Sequence, residues 1–111
     1  MKKNDRILLE KILTDTQDIQ EFIQGHNRES FINNKLVQNA VVMSLLKIGE
    51  RAHNLSTEFK SDTTQIPWEQ MTRLRHIAAH EYEVLRTADI WVNATRDVSL
   101  LQQQLQAILN R

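Results

Sequence analysis

Residues 40–59 read Ala-Val-Val-Met-Ser-Leu-Leu-Lys-Ile-Gly-Glu-Arg-Ala-His-Asn-Leu-Ser-Thr-Glu-Phe. At about 100° per residue, Ala40, Val41, Ser44, Ile48, Ala52, Leu55 and Phe59 fall on one stripe of a helix. Val42, Leu45, Leu46 and Gly49 fall on a second. A helix that is apolar on two sides is buried on two sides. This predicts a central helix from about 29 or 35 to 58, and in so short a chain one of its sides is expected to face a second subunit. Gly49 sits mid-helix, where glycine costs about 1 kcal/mol relative to Ala. Close approach of another backbone explains that choice; a glycine that is merely tolerated is the alternative.

The remaining periodicity packs around this helix. A first helix is predicted over 5–24, with Leu8, Ile12, Ile19 and Ile23 in one stripe flanked by Phe22 and ended by Gly25-His26-Asn27. Ser61-Asp62-Thr63-Thr64-Gln65 reads as a polar loop. Pro67 suits the first turn of a third helix over about 67–80, whose apolar face carries Met71, Leu74, Ile77 and Ala78. A fourth begins near Thr87, with Asp89 in its first turn. Its stripe is Ile90, Ala94, Val98, Leu101, Leu105 and Ile108. Trp68 and Trp91 are expected in the core. Together these give one all-α domain over 1–111, an up-and-down bundle of four to five helices.

Composition narrows the function. Of 111 residues 41% are apolar, with two glycines and one proline, too little turn chemistry for an all-β fold. The chain has no cysteine, which excludes a disulfide framework, thiolate catalysis and a Cys-based zinc site and fits a reducing cytoplasm. Fourteen basic residues balance fourteen acidic ones, so any nucleic-acid contact is local rather than a basic coat. No apolar run approaches the roughly 18 residues of a membrane span, and the start lacks a signal-peptide core. A cytoplasmic location is expected.

Arg75-His76-Ile77-Ala78-Ala79-His80-Glu81-Tyr82 is the stretch that carries chemistry. A guanidinium grips phosphate oxygens in bidentate fashion, and an imidazole moves protons near neutrality. Such a pair suffices to cleave RNA without a metal or other cofactor: His80 removes the ribose 2′-OH proton, and Arg75 steadies the charge on the phosphorane. Five residues apart, the two lie about 140° around an ideal helix. Either the chain leaves α geometry near Ala79-His80, or a two-fold related copy completes the site, as symmetric dimers allow. Each residue also has a structural alternative. Arg75 can pair with a carboxylate, His80 can sit on a helix dipole, and Tyr82 can be a core aromatic. His76 and His80 have the i, i+4 spacing of metal ligands but lack the intervening Glu and a third donor.

Read as a whole, the chain resembles the HepT-like branch of the HEPN superfamily, helical RNase toxins with an Arg-x4-His-x-Tyr signature, here Arg75, His80 and Tyr82. The likeness extends to Val37-Gln38-Asn39-Ala40-Val41, Ile48-Gly49-Glu50-Arg51-Ala52, Ile66-Pro67-Trp68 and Trp91, from about residue 5 to 109. It implies a HEPN-like symmetric homodimer with two Arg/His motifs in the interface cleft, and metal-independent endoribonuclease activity. It also implies a partner, a minimal nucleotidyltransferase antitoxin, with Tyr82 as the residue adenylylated. The position after the Arg, often Asn in that family, is His76 here. Glu50 is expected to orient Arg75 or His80, or to form a structural salt bridge. Two rival readings stand beside the RNase toxin. One is a non-catalytic module that holds a nucleotide or presents substrate to a nucleotidyltransferase; the other is a metal-binding helical protein built on His76 and His80.

Overall fold

The computed structural model describes residues 1–76 and 87–111, and among them every regular element is helical. Seven α-helices follow in order: α1 Lys3–Ile23, α2 Arg28–Ile32, α3 Lys35–His53, α4 Thr57–Asp62, α5 Trp68–Arg73, α6 Thr87–Val92 and α7 Val98–Leu109. A 3₁₀ turn, Leu74–His76, follows α5, and a π turn, Asn93–Asp97, joins α6 to α7 without a break in helical direction. The all-α bundle expected from sequence is present. Its central element is shorter than expected, because three side chains start helices of their own.

The predicted second helix is divided into α2, α3 and α4 by polar caps. Asn27 accepts from the Ser30 N–H at 2.8 Å and Ser30 Oγ accepts from the Asn27 N–H at 3.0 Å, a reciprocal capping box at the start of α2. Asn34 accepts from the Val37 N–H at 3.1 Å and starts α3. Ser56 accepts from the Phe59 N–H at 3.2 Å and starts α4, which takes up part of the predicted loop. Between α2 and α3, buried Gln38 donates from Nε2 to the carbonyls of Phe31 and Ile32, both at 2.8 Å. Those carbonyls lie at the C-terminal end of α2, where the helix itself supplies no i+4 donor; the Phe31 carbonyl also accepts from the Asn34 N–H at 3.1 Å.

Both predicted stripes of α3 are buried except at half-exposed Ala40 and Leu46, and the chain itself covers them. Val41, Ile48 and Ala52 pack in the core with Leu9, Ile12 and Ile19 of α1. Val42, Leu45 and Gly49 are also buried, with α5 and the 3₁₀ turn packed on α3. The second stripe therefore does not require a second subunit, because the helix carrying Arg75 occupies it. The α3 face left in solvent is a third one, where Leu36 and Met43 stand 79% and 53% exposed.

The six residues of the predicted last stripe, Ile90, Ala94, Val98, Leu101, Leu105 and Ile108, are all buried. Successive four-residue steps drift by about 40° each in a regular helix. The i→i+5 bonding of the π turn holds more residues per turn, which keeps Ile90, Ala94 and Val98 in line. In α1, Leu9 rather than Leu8 leads the buried stripe, and Phe22 remains 38% exposed. Trp68 is buried and donates Nε1–H to Thr63 Oγ1 at 2.8 Å. Trp91 is half-buried against Phe31, ring centroids 5.2 Å apart.

Two buried carboxylates tie α1 to the rest. Asp5 accepts from both the N–H and the Oγ of Ser56, at 2.8 and 2.6 Å, fixing the start of α4. Asp15, with 3% of its side chain exposed, pairs with Arg51 of α3 at 2.5 Å. Burial holds the Asp15 carboxyl above its ordinary value of 3.8, against the hydrogen bond and charge of Arg51, which pull it down.

Candidate active site

Arg75 lies at the centre of the 3₁₀ turn that follows α5. A departure from α geometry near Ala79-His80 is one of two alternatives the sequence offers, and those residues lie outside the described ones; the structure shows a departure at Leu74. The cause is local packing. The backbone of Met71, Leu74 and Arg75 runs against Gly49 of α3, closer than any side chain on α3 would permit.

The arginine is half-buried. Among the described residues its enclosed Nε has no hydrogen-bond partner and no carboxylate pairs with the guanidinium. An enclosed, unpaired nitrogen of a charged group costs about 1–3 kcal/mol or more, and such groups need a reason to persist. The carboxylate-pairing alternative for Arg75 therefore finds no support among the described residues. What remains among the described residues is a half-buried cation whose Nε has no acceptor, an arrangement that suits a phosphate.

The other predicted site residues are distributed unevenly. His76, at the end of the 3₁₀ turn, is exposed. Glu50 is exposed and makes no ion pair among the described residues. Burial on α3 falls on its neighbours Gly49 and Ile48, and position 50 is turned outward. His80 and Tyr82 lie outside the described residues, and so do Ile77 and Ala78 of the predicted apolar face. The two remaining histidines, His26 and His53, have local neighbours. His26 Nδ1 is 3.0 Å from Ser30 Oγ, and the His53 carbonyl accepts from Lys60 Nζ at 3.3 Å.

A groove of about 320 Å³ opens beside this turn and was not foreseen from sequence. Leu45, Ile48, Met71 and Leu74 form its apolar side, and Gln70, Asn93 and Arg96 are among its polar lining. It reaches Leu74, the residue before Arg75. The π turn supplies Asn93, Arg96 and Asp97, and no hydropathy pattern distinguishes a π turn from an α-helical one.

Comparison with known proteins places this geometry. The chain matches the family described as Ribonuclease HepT-like over residues 12–108. It is 30% identical over 109 residues to a protein of Caldanaerobacter subterraneus subsp. tengcongensis named "Putative RNase TTE0752", covering 98% of this chain and 97% of that one. It is 30% identical over 108 residues to the "Probable ribonuclease HepT" of Thermococcus cleftensis, covering 97% and 98%. A Methanocaldococcus jannaschii protein named "Putative RNase MJ1380" is 28% identical over 107 residues, covering 96% and 98%. No solved structure matches the chain significantly. With residues 12–108 matched by the family and two relatives 30% identical over nearly their whole length, this chain belongs to the HepT-like ribonuclease family.

Proposed function

We propose that the chain is a metal-independent endoribonuclease and the toxin of a toxin–antitoxin pair, acting in the cytoplasm as a symmetric homodimer. The observation that carries this reading is the half-buried Arg75, whose enclosed Nε has no partner among the described residues. Arg75 binds the scissile phosphate and stabilises the charge that develops on its oxygens. His80 takes the proton from the ribose 2′-OH. The 2′ oxygen attacks phosphorus, the bond from phosphorus to the 5′ oxygen breaks, and protonated His80 returns its proton to that oxygen. The product ends in a 2′,3′-cyclic phosphate, and no water or metal ion is consumed in the step.

Exposed Leu36 and Met43 on α3 supply an apolar face for the dimer contact. The partner is a minimal nucleotidyltransferase, and Tyr82 is the acceptor of its adenylyl group. His76 stands beside Arg75 as an exposed second imidazole.

The test is RNA cleavage by the purified chain with EDTA present. Arg75→Ala and His80→Ala should each lower the rate by about 10²–10⁴-fold with helicity intact. Cleavage that disappears with the chelator would refute the mechanism. Co-expression with the neighbouring nucleotidyltransferase should restore growth that the chain alone arrests.

A further inference from the structure

The described residues hold two glycines with opposite reasons for being glycine. Gly25 has φ +81° and open space around it, so it serves a turn. Gly49 has ordinary helical backbone, and what it lacks is room. A Cβ built there would stand 2.5 Å from the Arg75 nitrogen, 2.9 Å from the Met71 oxygen and 3.1 Å from the Leu74 carbonyl carbon. All three atoms are backbone, so no side-chain rotation relieves the contact. To reach ordinary contact at 3.4 Å, the Arg75 turn would have to move away by roughly 0.9 Å.

We infer that Gly49 is a positioning residue for Arg75: the missing Cβ seats the Arg75 backbone directly on α3 and so fixes where the guanidinium stands. The inference rests on the reading of Arg75 as the phosphate-binding group. Its physical basis is that a half-buried arginine reaches its target from a backbone anchor. An anchor that lies against a helix axis, rather than against side chains, has little freedom to drift. The same contact coincides with the switch to 3₁₀ geometry at Leu74–His76. Gly49 touches no substrate; it acts through the arginine.

The experiment is steady-state and single-turnover RNA cleavage by Gly49→Ala, with Ile12→Val as the control. Ile12 is fully buried in α1, and its shortening lowers thermal stability without approaching the Arg75 turn. Misplacement of a reacting group by about 1 Å costs about 100-fold. Gly49→Ala should therefore lose about 100-fold in kcat, with KM changing less, while Ile12→Val keeps its kcat at temperatures where both are folded. In the Arg75→Ala background, adding Gly49→Ala should change kcat no further, because the group through which Gly49 acts is gone.

Equal kcat losses in Gly49→Ala and Ile12→Val, or a full further loss in the double variant, would make Gly49 a packing residue only. An Arg75→Ala chain that cuts at the full rate would remove the phosphate-binding reading itself. Full-rate cleavage by Gly49→Ala beside an inactive Arg75→Ala would remove the positioning role alone. Should Gly49→Ala fail to fold, hydrogen exchange in the unaltered chain decides. The Arg75 amide should then exchange as slowly as those of Leu45 and Ile48. Exchange at the free-peptide rate would overturn the inference.

Discussion

Arg51→Met breaks the bridge between α1 and α3 while keeping most of the aliphatic volume. In the folded chain, Arg51 Nη1 donates to Asp15 Oδ2 at 2.5 Å and to the Lys11 carbonyl at 3.3 Å. Asp15 keeps only 3% of its side-chain exposure and Arg51 28%, so the carboxylate depends on the guanidinium and the reverse is less true. Removing one partner of a buried pair costs about 3–5 kcal/mol. Partial access of water to Arg51 places the expected loss near the lower end, about 3 kcal/mol. At about 4–8 °C per kcal/mol for small domains, the melting temperature falls by about 12 °C or more.

The pH dependence identifies the cause. Burial already raises the folded-state value of Asp15 above 3.8, and Arg51 opposes that rise. A raised carboxyl binds its proton more tightly folded than unfolded, so its contribution to stability is lost as pH climbs through and above 3.8. Without Arg51 the folded value rises further and the window widens. The stability gap between the parent and Arg51→Met should therefore be largest at pH 7 and narrow as pH falls toward 4. Circular-dichroism melts at both pH values measure it. Asp15→Asn, which removes the charge, should cost less than Arg51→Met and lack this pH dependence. A gap that stays constant with pH, or an Asn variant as unstable as Arg51→Met, would refute the argument.

Thr63→Val should leave the buried Trp68 Nε1–H without its 2.8 Å acceptor and cost about 1–3 kcal/mol in urea unfolding, with the slope unchanged. Light scattering of the 13.0 kDa chain should give twice that mass, and Leu36→Asp with Met43→Glu should return it to a monomer without loss of helicity. Mass spectrometry of the chain co-expressed with its nucleotidyltransferase should find adenylyl groups on Tyr82, and Tyr82→Phe should cut RNA yet escape neutralisation. An unmodified Tyr82 in a fully neutralised complex would assign neutralisation to steric cover instead.

The parts of the fold that depend on hydropathy were readable in the sequence. The stripe from Ile90 to Ile108 is buried at all six positions, and Gly49 does meet a backbone. Elements that depend on one hydrogen bond were harder to read. Asn34 and Ser56 divide a long apolar stretch because their side chains satisfy amide groups, and the same residue types occur elsewhere without starting helices. Gln38 was invisible as a helix-ending donor because its acceptors are carbonyls six and seven residues away. At the candidate site, sequence identified Arg75 by chemistry. It did not show that Glu50 is exposed, because a charged residue on an apolar helix says little about which way it turns. The packing of α5 on α3 also removed the original argument for a partner, since a doubly apolar helix looks the same whether its second cover comes from this chain or another.

The π turn at Asn93–Asp97 has a consequence for how this helix tolerates changes in length. Ile90 and Val98 are eight residues apart, about 80° out of phase in a regular helix, whereas seven residues would leave them about 20° apart. The turn thus absorbs a single additional residue while keeping α6 and α7 in phase. Removing one residue there, such as exposed Arg96, would convert the segment to ordinary helix and leave Leu101, Leu105 and Ile108 facing the core. A deletion anywhere within α7 would instead swing every residue beyond it by about 100°. Homologues that are one residue shorter in this helix should carry the gap between 93 and 97, and they should lack the wall that Asn93, Arg96 and Asp97 give to the groove beside Leu74.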